Sequence, residues 1–180
     1  ESEIRSGLAS ADTFERAQLM LGEHIGFAAG KKESDASPDP WWMIANQVIV
    51  FEDHVGAKED AVIDATKARQ AASHPDWIRM NVPGAEAATI VSVLVTPATV
   101  ARGGAMPSLS TVSYWPLKDF LPWAEAALVA IRELRRTFVE PGDLAWRAQA
   151  AEALEEARLG GPSLIKWLSM RLASDLMTQV

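Results

Sequence analysis

The chain contains no cysteine among its 180 residues. That single absence removes disulfides, thiolate zinc sites and thiol nucleophiles, and it is compatible with the reducing, cytoplasmic setting expected here. No stretch approaches the roughly 18 uninterrupted apolar residues that a membrane helix needs, and the first residues lack the charged-then-apolar pattern of a secretory signal. No membrane association is therefore expected. The sequence opens at Glu1 without a methionine, as a fragment or excised domain would. Positive charge is scarce: 17 Lys and Arg stand against 24 Asp and Glu, for a net charge of −7. Phosphate contacts supply most nucleic-acid affinity, so this balance disfavours a free-standing nucleic-acid binder, although a metal site is itself acidic. His24, His54 and His74 have no i, i+4 helical spacing of the kind zinc and non-haem iron sites often use. Gly103-Gly104 lacks the Lys-Ser companion of a phosphate loop and reads as a plain turn.

What is present suffices for one globular domain with a sizeable core and a small appendage: 48% of residues are hydrophobic, and mean hydropathy is near zero. The seven tryptophans are expected mostly in the core or at interfaces, because a large amphipathic ring buries well.

Hydrophobic periodicity predicts a first helix over 13–29, through Phe14, Ala17, Leu21 and Ile25, followed by a polar loop over 31–38. Strands are predicted over 41–44 and 47–52 around a tight Ala45-Asn46 turn. A second helix is expected over 57–73, broken at His74-Pro75 by the missing proline donor. The run at 89–95, β-branched and apolar on both faces, predicts a strand covered by helices. A glycine-containing loop over 101–107 and a short strand over 111–115 follow. Leu117, Leu121, Ala124, Leu128, Ile131, Leu134 and Phe138 trace an amphipathic helix. Two more helices, 143–159 and 163–177, should form a hairpin turning at Gly160-Gly161-Pro162. The pattern is an α/β domain over 1–140, a central sheet flanked by helices, with a helical extension over 141–180.

The chemistry-bearing constellation is Pro38-Asp39 followed by Glu52-Asp53-His54 at the end of the apolar run 48–51. A buried strand ending in carboxylates places them at a sheet edge, where a hard cation such as Mg²⁺ can be held by oxygen ligands. Strand alternation sends Glu52 and His54 to one face and Asp53 to the other. These residues resemble the PD-(D/E)XK nuclease superfamily, whose signature is an Asp, often after Pro, and an acid-x-Lys triplet ending the next strand. The likeness covers roughly 12–138 and is nearest to nuclease-like domains of bacterial helicases and phage-defence proteins. It implies a restriction-endonuclease-like αβββαβ core and Mg²⁺- or Mn²⁺-dependent hydrolysis of DNA phosphodiesters. It also implies metal ligation by Asp39, Glu52 and the carbonyl of Asp53, with Glu15 and Gln70 in support. His54 stands where the family has lysine. A neutral imidazole, with a reference pKa near ~6.5, could serve as a general base but not as a fixed positive charge. Lys58 or Lys67 could reach in from the helix side instead.

Plainer readings stay open. Asp39 between two prolines could simply initiate a turn, and Glu52-Asp53-His54 could be an ordinary polar strand end. Glu15 and Gln70 could be solvated helix residues, His24 a capping residue, and His74 a helix C-terminal residue near the sheet end. Arg132, Arg135 and Arg136 could meet phosphates or complement a helix dipole. Trp41-Trp42 could stack a base or divide between core and interface. The alternative function is a nuclease-fold module without chemistry, acting in protein interaction or nucleic-acid positioning, with a protein partner on the C-terminal helices.

Overall fold

The two β-branched runs lie side by side at the centre of a five-stranded mixed sheet. This is a computed structural model, and it describes residues 1–33 and 37–180. The chain runs through α1 (Ser2–Leu8), α2 (Phe14–His24), β1 (Ala28–Gly30), β2 (Trp41–Ile44), β3 (Gln47–Asp53), β4 (Val62–Ile63), α3 (Ala65–Asn81), β5 (Thr89–Thr96) and β6 (Val100–Ala101). It continues through α4 (Met106–Leu109), β7 (Val112–Pro116), α5 (Leu117–Thr137), α6 (Leu144–Glu156), α7 (Gly161–Ser169), α8 (Ala173–Leu176) and β8 (Thr178–Gln179). The main sheet has the order β1-β2-β3-β5-β7, and β4-β6-β8 form a small second sheet. Pairing is antiparallel from β1 to β3 and parallel from β3 to β7. The fold is thus α/β, with helices on both faces of the sheet.

Strand alternation assigns each face its cover. Ile49, Phe51, Val93, Val95 and Trp115 join Phe14 and Leu21 of α2, Phe120 and Leu128 of α5, and Leu164 and Leu168 of α7 in one buried cluster. On the opposite face Val48 and Val50 pack with Ile78, while Leu94, Val112 and Tyr114 pack with Ala68, Ala71 and Leu109. The β2–β3 hairpin has the expected register, Trp41 opposite Val50 and Ile44 opposite Gln47. Ala45 takes a positive φ of 50° in its two-residue turn, as hairpins of this length require.

Several expected elements shift, each for a local reason. The first helix stops at His24 rather than at 29, because Gly26 adopts φ +100° and turns the chain into β1. The 31–38 loop lies partly outside the described residues. The second helix spans Ala65–Asn81 rather than 57–73: Asp64 caps it, its Oδ1 accepting from the amides of Thr66 and Lys67. Pro75 does not break that helix. A proline there removes the amide that would bond the Ala71 carbonyl, and the Ser92 hydroxyl of β5 donates to that carbonyl at 2.7 Å instead. The expected 101–107 loop is a 3₁₀ turn over Gly103–Ala105 running into α4.

Beyond α6 the chain does not form one long helix to 177. α7 ends at Ser169, the Arg171 carbonyl accepts the Tyr114 amide at 2.7 Å, and β8 pairs with β6. Leu159, Leu164, Ile165 and Leu168 belong to the buried cluster of the main sheet, so residues 141–180 share the core of the first 140. α7 approaches so closely that a Cβ on Gly161 would overlap the Ile44 side chain. Among the described residues no helix is long and apolar enough to cross a membrane.

Leu168 is 0% exposed and Leu144 75% exposed. Leu168→Ala should therefore cost about 2–5 kcal/mol in a urea denaturation experiment, whereas Leu144→Ala should change stability by less than about 0.5 kcal/mol.

Candidate functional site

The carboxyl end of β3 splits its two acids between the two faces of the sheet. Glu52 lies on the α3 side. It is 2% exposed, and both of its oxygens are engaged: Lys67 Nζ donates to Oε1 at 2.6 Å, and His74 Nε2 lies 2.6 Å from Oε2. Lys67 and His74 are seven residues apart on α3, two turns along one stripe. With Glu52 ionised, His74 Nε2 carries the shared proton and donates it. Burial alone would raise the Glu52 pKa, but the hydrogen bonds from His74 and Lys67 outweigh it and hold the carboxyl below its ordinary value.

Asp53 lies on the α2 side and is far less well compensated. Gln18 Nε2 donates to Asp53 Oδ1 at 3.2 Å, while Oδ2 is sealed from solvent and has no partner among the described residues. Gln18 is itself buried, its backbone carbonyl accepting from Trp42 Nε1 and its Oε1 without a partner among the described residues. Asp39 sits beside this group because residues 39–40 extend the β2–β3 ladder. The Phe51 amide donates to the Pro40 carbonyl at 3.1 Å, and the Asp53 amide donates to Asp39 Oδ2 at 2.5 Å. Burial pushes the Asp39 carboxyl up to about 7; the charges of Glu52 and Glu15 add to this, while the Asp53 amide and Lys67 oppose it. Asp53 is pushed well above the usual carboxylate range by burial and by its neighbour Asp39.

Glu15, in the first turn of α2, is half-buried and paired with Lys31, which also meets Glu33 at 2.9 Å. Burial works against the Lys31 charge, but these carboxylates outweigh it and raise the ammonium pKa. His54 falls just beyond β3. Its amide donates to the Val95 carbonyl at 2.8 Å, and its Nδ1 is buried without a partner among the described residues. Burial and the nearby Lys67 charge lower its pKa, so the imidazole is neutral at pH 7.

Asp39, Asp53 and His54 lie with Glu52 around the carboxyl end of β3, and the Glu15 charge acts on Asp39 and Asp53. Gln70 does not join them. The buried stripe of α3 runs through Ala68, Ala71, His74 and Ile78, and Gln70, off that stripe, is exposed. Lys67, of the two lysines considered, is the one on Glu52. His74, expected at a helix end, is instead mid-helix and wholly buried. Sequence reasoning missed Gln18 and Lys31; Gln18 lies three residues after Glu15, one helical turn on, and that spacing was the available signal. Away from the site, Arg132 and Arg136 are spent on ion pairs with Glu1 and Glu133. Trp42 is core, and Trp41 packs against Trp77.

Among the described residues no three His, Asp or Glu side chains form a ready-made metal cluster. No protein-family model, curated protein or solved structure matches the chain.

The raised Asp39 pKa has a definite sign in stability. The unfolded carboxyl ionises near 3.8 and the folded one near 7, so the folded state binds more protons between those values and loses stability as pH rises through that window. Asp39→Asn keeps an acceptor for the Asp53 amide and removes the charge. By urea denaturation the variant should exceed the wild type at pH 8 by on the order of 1–3 kcal/mol and match it within about 0.5 kcal/mol at pH 4.

Proposed function

We propose that the chain is a metal-dependent nuclease domain of restriction-endonuclease-like type, hydrolysing phosphodiester bonds in DNA as part of a defence or DNA-processing system. With β4 set aside as a strand of the second sheet, the order α2, β1, β2, β3, α3, β5, three antiparallel strands and then a parallel one, supports this reading. The observation that carries the reading is the adjacency of Asp39 and Asp53, two acids with no ion pair among the described residues, where Asp53 Oδ2 also has no hydrogen-bond partner. A bound cation is what such a pair lacks. Mg²⁺ commonly uses only one or two carboxylates, completing its shell with water and substrate phosphate, so Asp39 and Asp53 are sufficient and Glu15 stands near enough to raise both of their pKa values.

When bound there, Mg²⁺ or Mn²⁺ would polarise the scissile phosphate and lower the pKa of an attacking water. The chain's own groups supply the rest. Glu52, with both oxygens held, anchors the Lys67 ammonium at the strand end, so that α3 provides the cation that the family takes from the position of His54. Lys67 orients the nucleophilic water and offsets charge gathering on the phosphate. His54, a neutral imidazole at this strand end, can accept the water's proton.

One observation favours the second reading, a nuclease-fold module that positions nucleic acid or binds a protein without cleaving. Both Glu52 oxygens are already taken, which removes one expected metal ligand. In that reading α6, which buries only Ala150, is the surface for a partner.

Calorimetric titration with Mn²⁺ and Mg²⁺ separates the two. The wild type should bind, and Asp39→Asn and Asp53→Asn should each weaken binding at least about tenfold, while Glu52→Gln should leave it within about threefold. Plasmid cleavage should fall at least about hundredfold in Lys67→Ala. A wild type that binds neither ion overturns the catalytic reading.

A further inference from the structure

Strands β3, β5 and β7 are parallel, so the carboxyl ends of all three open on one edge of the sheet. Ligands of α/β folds bind at that edge. The candidate site occupies only the β3 end. At the β5 and β7 ends lies a cavity of about 450 Å³, lined by Pro97, Thr99, Tyr114, Pro116, Leu117 and Leu121, with Glu59 and Lys118 also bordering it. That volume falls within the range of small-molecule sites, roughly 300–1,000 Å³. The cavity and the site share structure: the Thr96 hydroxyl, next to Pro97, donates to the His54 carbonyl at 3.3 Å, and Glu59 belongs to the loop that leaves His54.

We infer that this cavity receives an unpaired base of a single-stranded segment whose phosphate lies at the Asp39–Asp53 pair, and that the substrate is therefore single-stranded or locally unpaired DNA. The inference rests on the phosphodiester reading of those carboxylates. The lining suits a base: Pro97, Pro116, Leu117 and Leu121 give apolar walls, and the Tyr114 hydroxyl is committed to the Ala98 carbonyl at 2.7 Å, leaving its ring for the cavity. Glu59 and Lys118 are exposed and opposite in charge. They offer an acceptor for a base's ring-edge N–H groups and a cation for the adjoining phosphate. A base still paired in a duplex presents neither its face nor its Watson–Crick edge, so entry requires a single strand or an extruded nucleotide.

The test is fluorescence anisotropy with a fluorescein-labelled 12-nucleotide single strand and the matching duplex, with Ca²⁺ in place of Mg²⁺ as the oxygen-bound cation and the probe checked to be uncut after each titration. The wild type should prefer the single strand at least about tenfold. Leu121→Trp, which fills the cavity, should abolish that preference without altering duplex binding. Thr99→Trp, from the opposite wall on an exposed position, should do the same and serves if Leu121→Trp fails to fold. Lys118→Ala should weaken single-strand binding and lessen its salt dependence. Equal affinity for the two DNA forms, or wild-type affinity in both tryptophan variants, overturns the inference. Mn²⁺ titration of the same proteins keeps the two claims apart: metal binding without cavity-dependent strand binding defeats this inference alone, and the converse defeats only the catalytic reading.

Discussion

A carboxylate that is 2% exposed at the end of a central strand is the constraint from which much of the architecture follows. Ionised and buried, Glu52 would cost several kcal/mol without partners, and both partners come from one helix, Lys67 and His74 of α3. To deliver two side chains seven residues apart, α3 must run unbroken past His74 and hold its phase against the sheet. It does so although Pro75 deletes one of its backbone bonds. The Ser92 hydroxyl takes over the freed Ala71 carbonyl, so helix continuity, the helix–sheet contact and the neutralisation of Glu52 depend on one another. Removing any one of them would leave a buried polar group unpaired, which is more costly than the net gain from an average hydrogen bond.

The next residue shows the opposite arrangement. Asp53 lies on the same strand with its Oδ2 shut off from solvent, yet that oxygen has no partner among the described residues, and the charge of Asp39 acts on it unfavourably. A fold that supplies two hydrogen-bond donors to Glu52 and leaves Asp53 beside Asp39, whose charge adds to burial in raising the Asp53 pKa, has a local conflict that packing alone does not explain. Such conflicts concentrate where a protein does something besides fold. The chemistry proposed for this strand end follows from that contrast between adjacent residues, and not from the number of acids nearby.

The hairpin was legible because its signals agree: an apolar run on each side of a two-residue turn, the second of them rich in β-branched residues. The run at 89–96 was legible for the same reason. α3 was misplaced because alanines at 57–73 satisfy a helical period without specifying where burial begins, while the true start is set by the Asp64 cap. Its end was misplaced because a proline's missing donor can be compensated from another strand, and no local pattern announces that Ser92 will reach it. The helix phase then decided the site. With its origin at 65, Lys67 and His74 face the sheet and Gln70 does not. The acids at 39, 52 and 53 were readable from their position at a strand end, but the unequal treatment of 52 and 53 depends on which helix covers each face, a long-range property.

The last forty residues bear on the site through the second sheet. β8 lies beside β6, which lies beside β4, all parallel, and the Gly103 amide donates to the Val180 carbonyl at 2.9 Å. β4 ends the loop that leaves His54, and β6 follows directly on the Pro97–Thr99 wall of the cavity. Two-residue strands are too short to hold these segments alone. The C-terminal strand adds backbone bonds, the Arg171–Tyr114 bond ties the same segment to the main sheet, and α7 fixes its start in the core. A stretch that reads in the sequence as an appended hairpin therefore braces the loop and wall on either side of the strand ends. That placement explains why its apolar residues, Leu164, Ile165 and Leu168, are as deeply buried as those of the central strands.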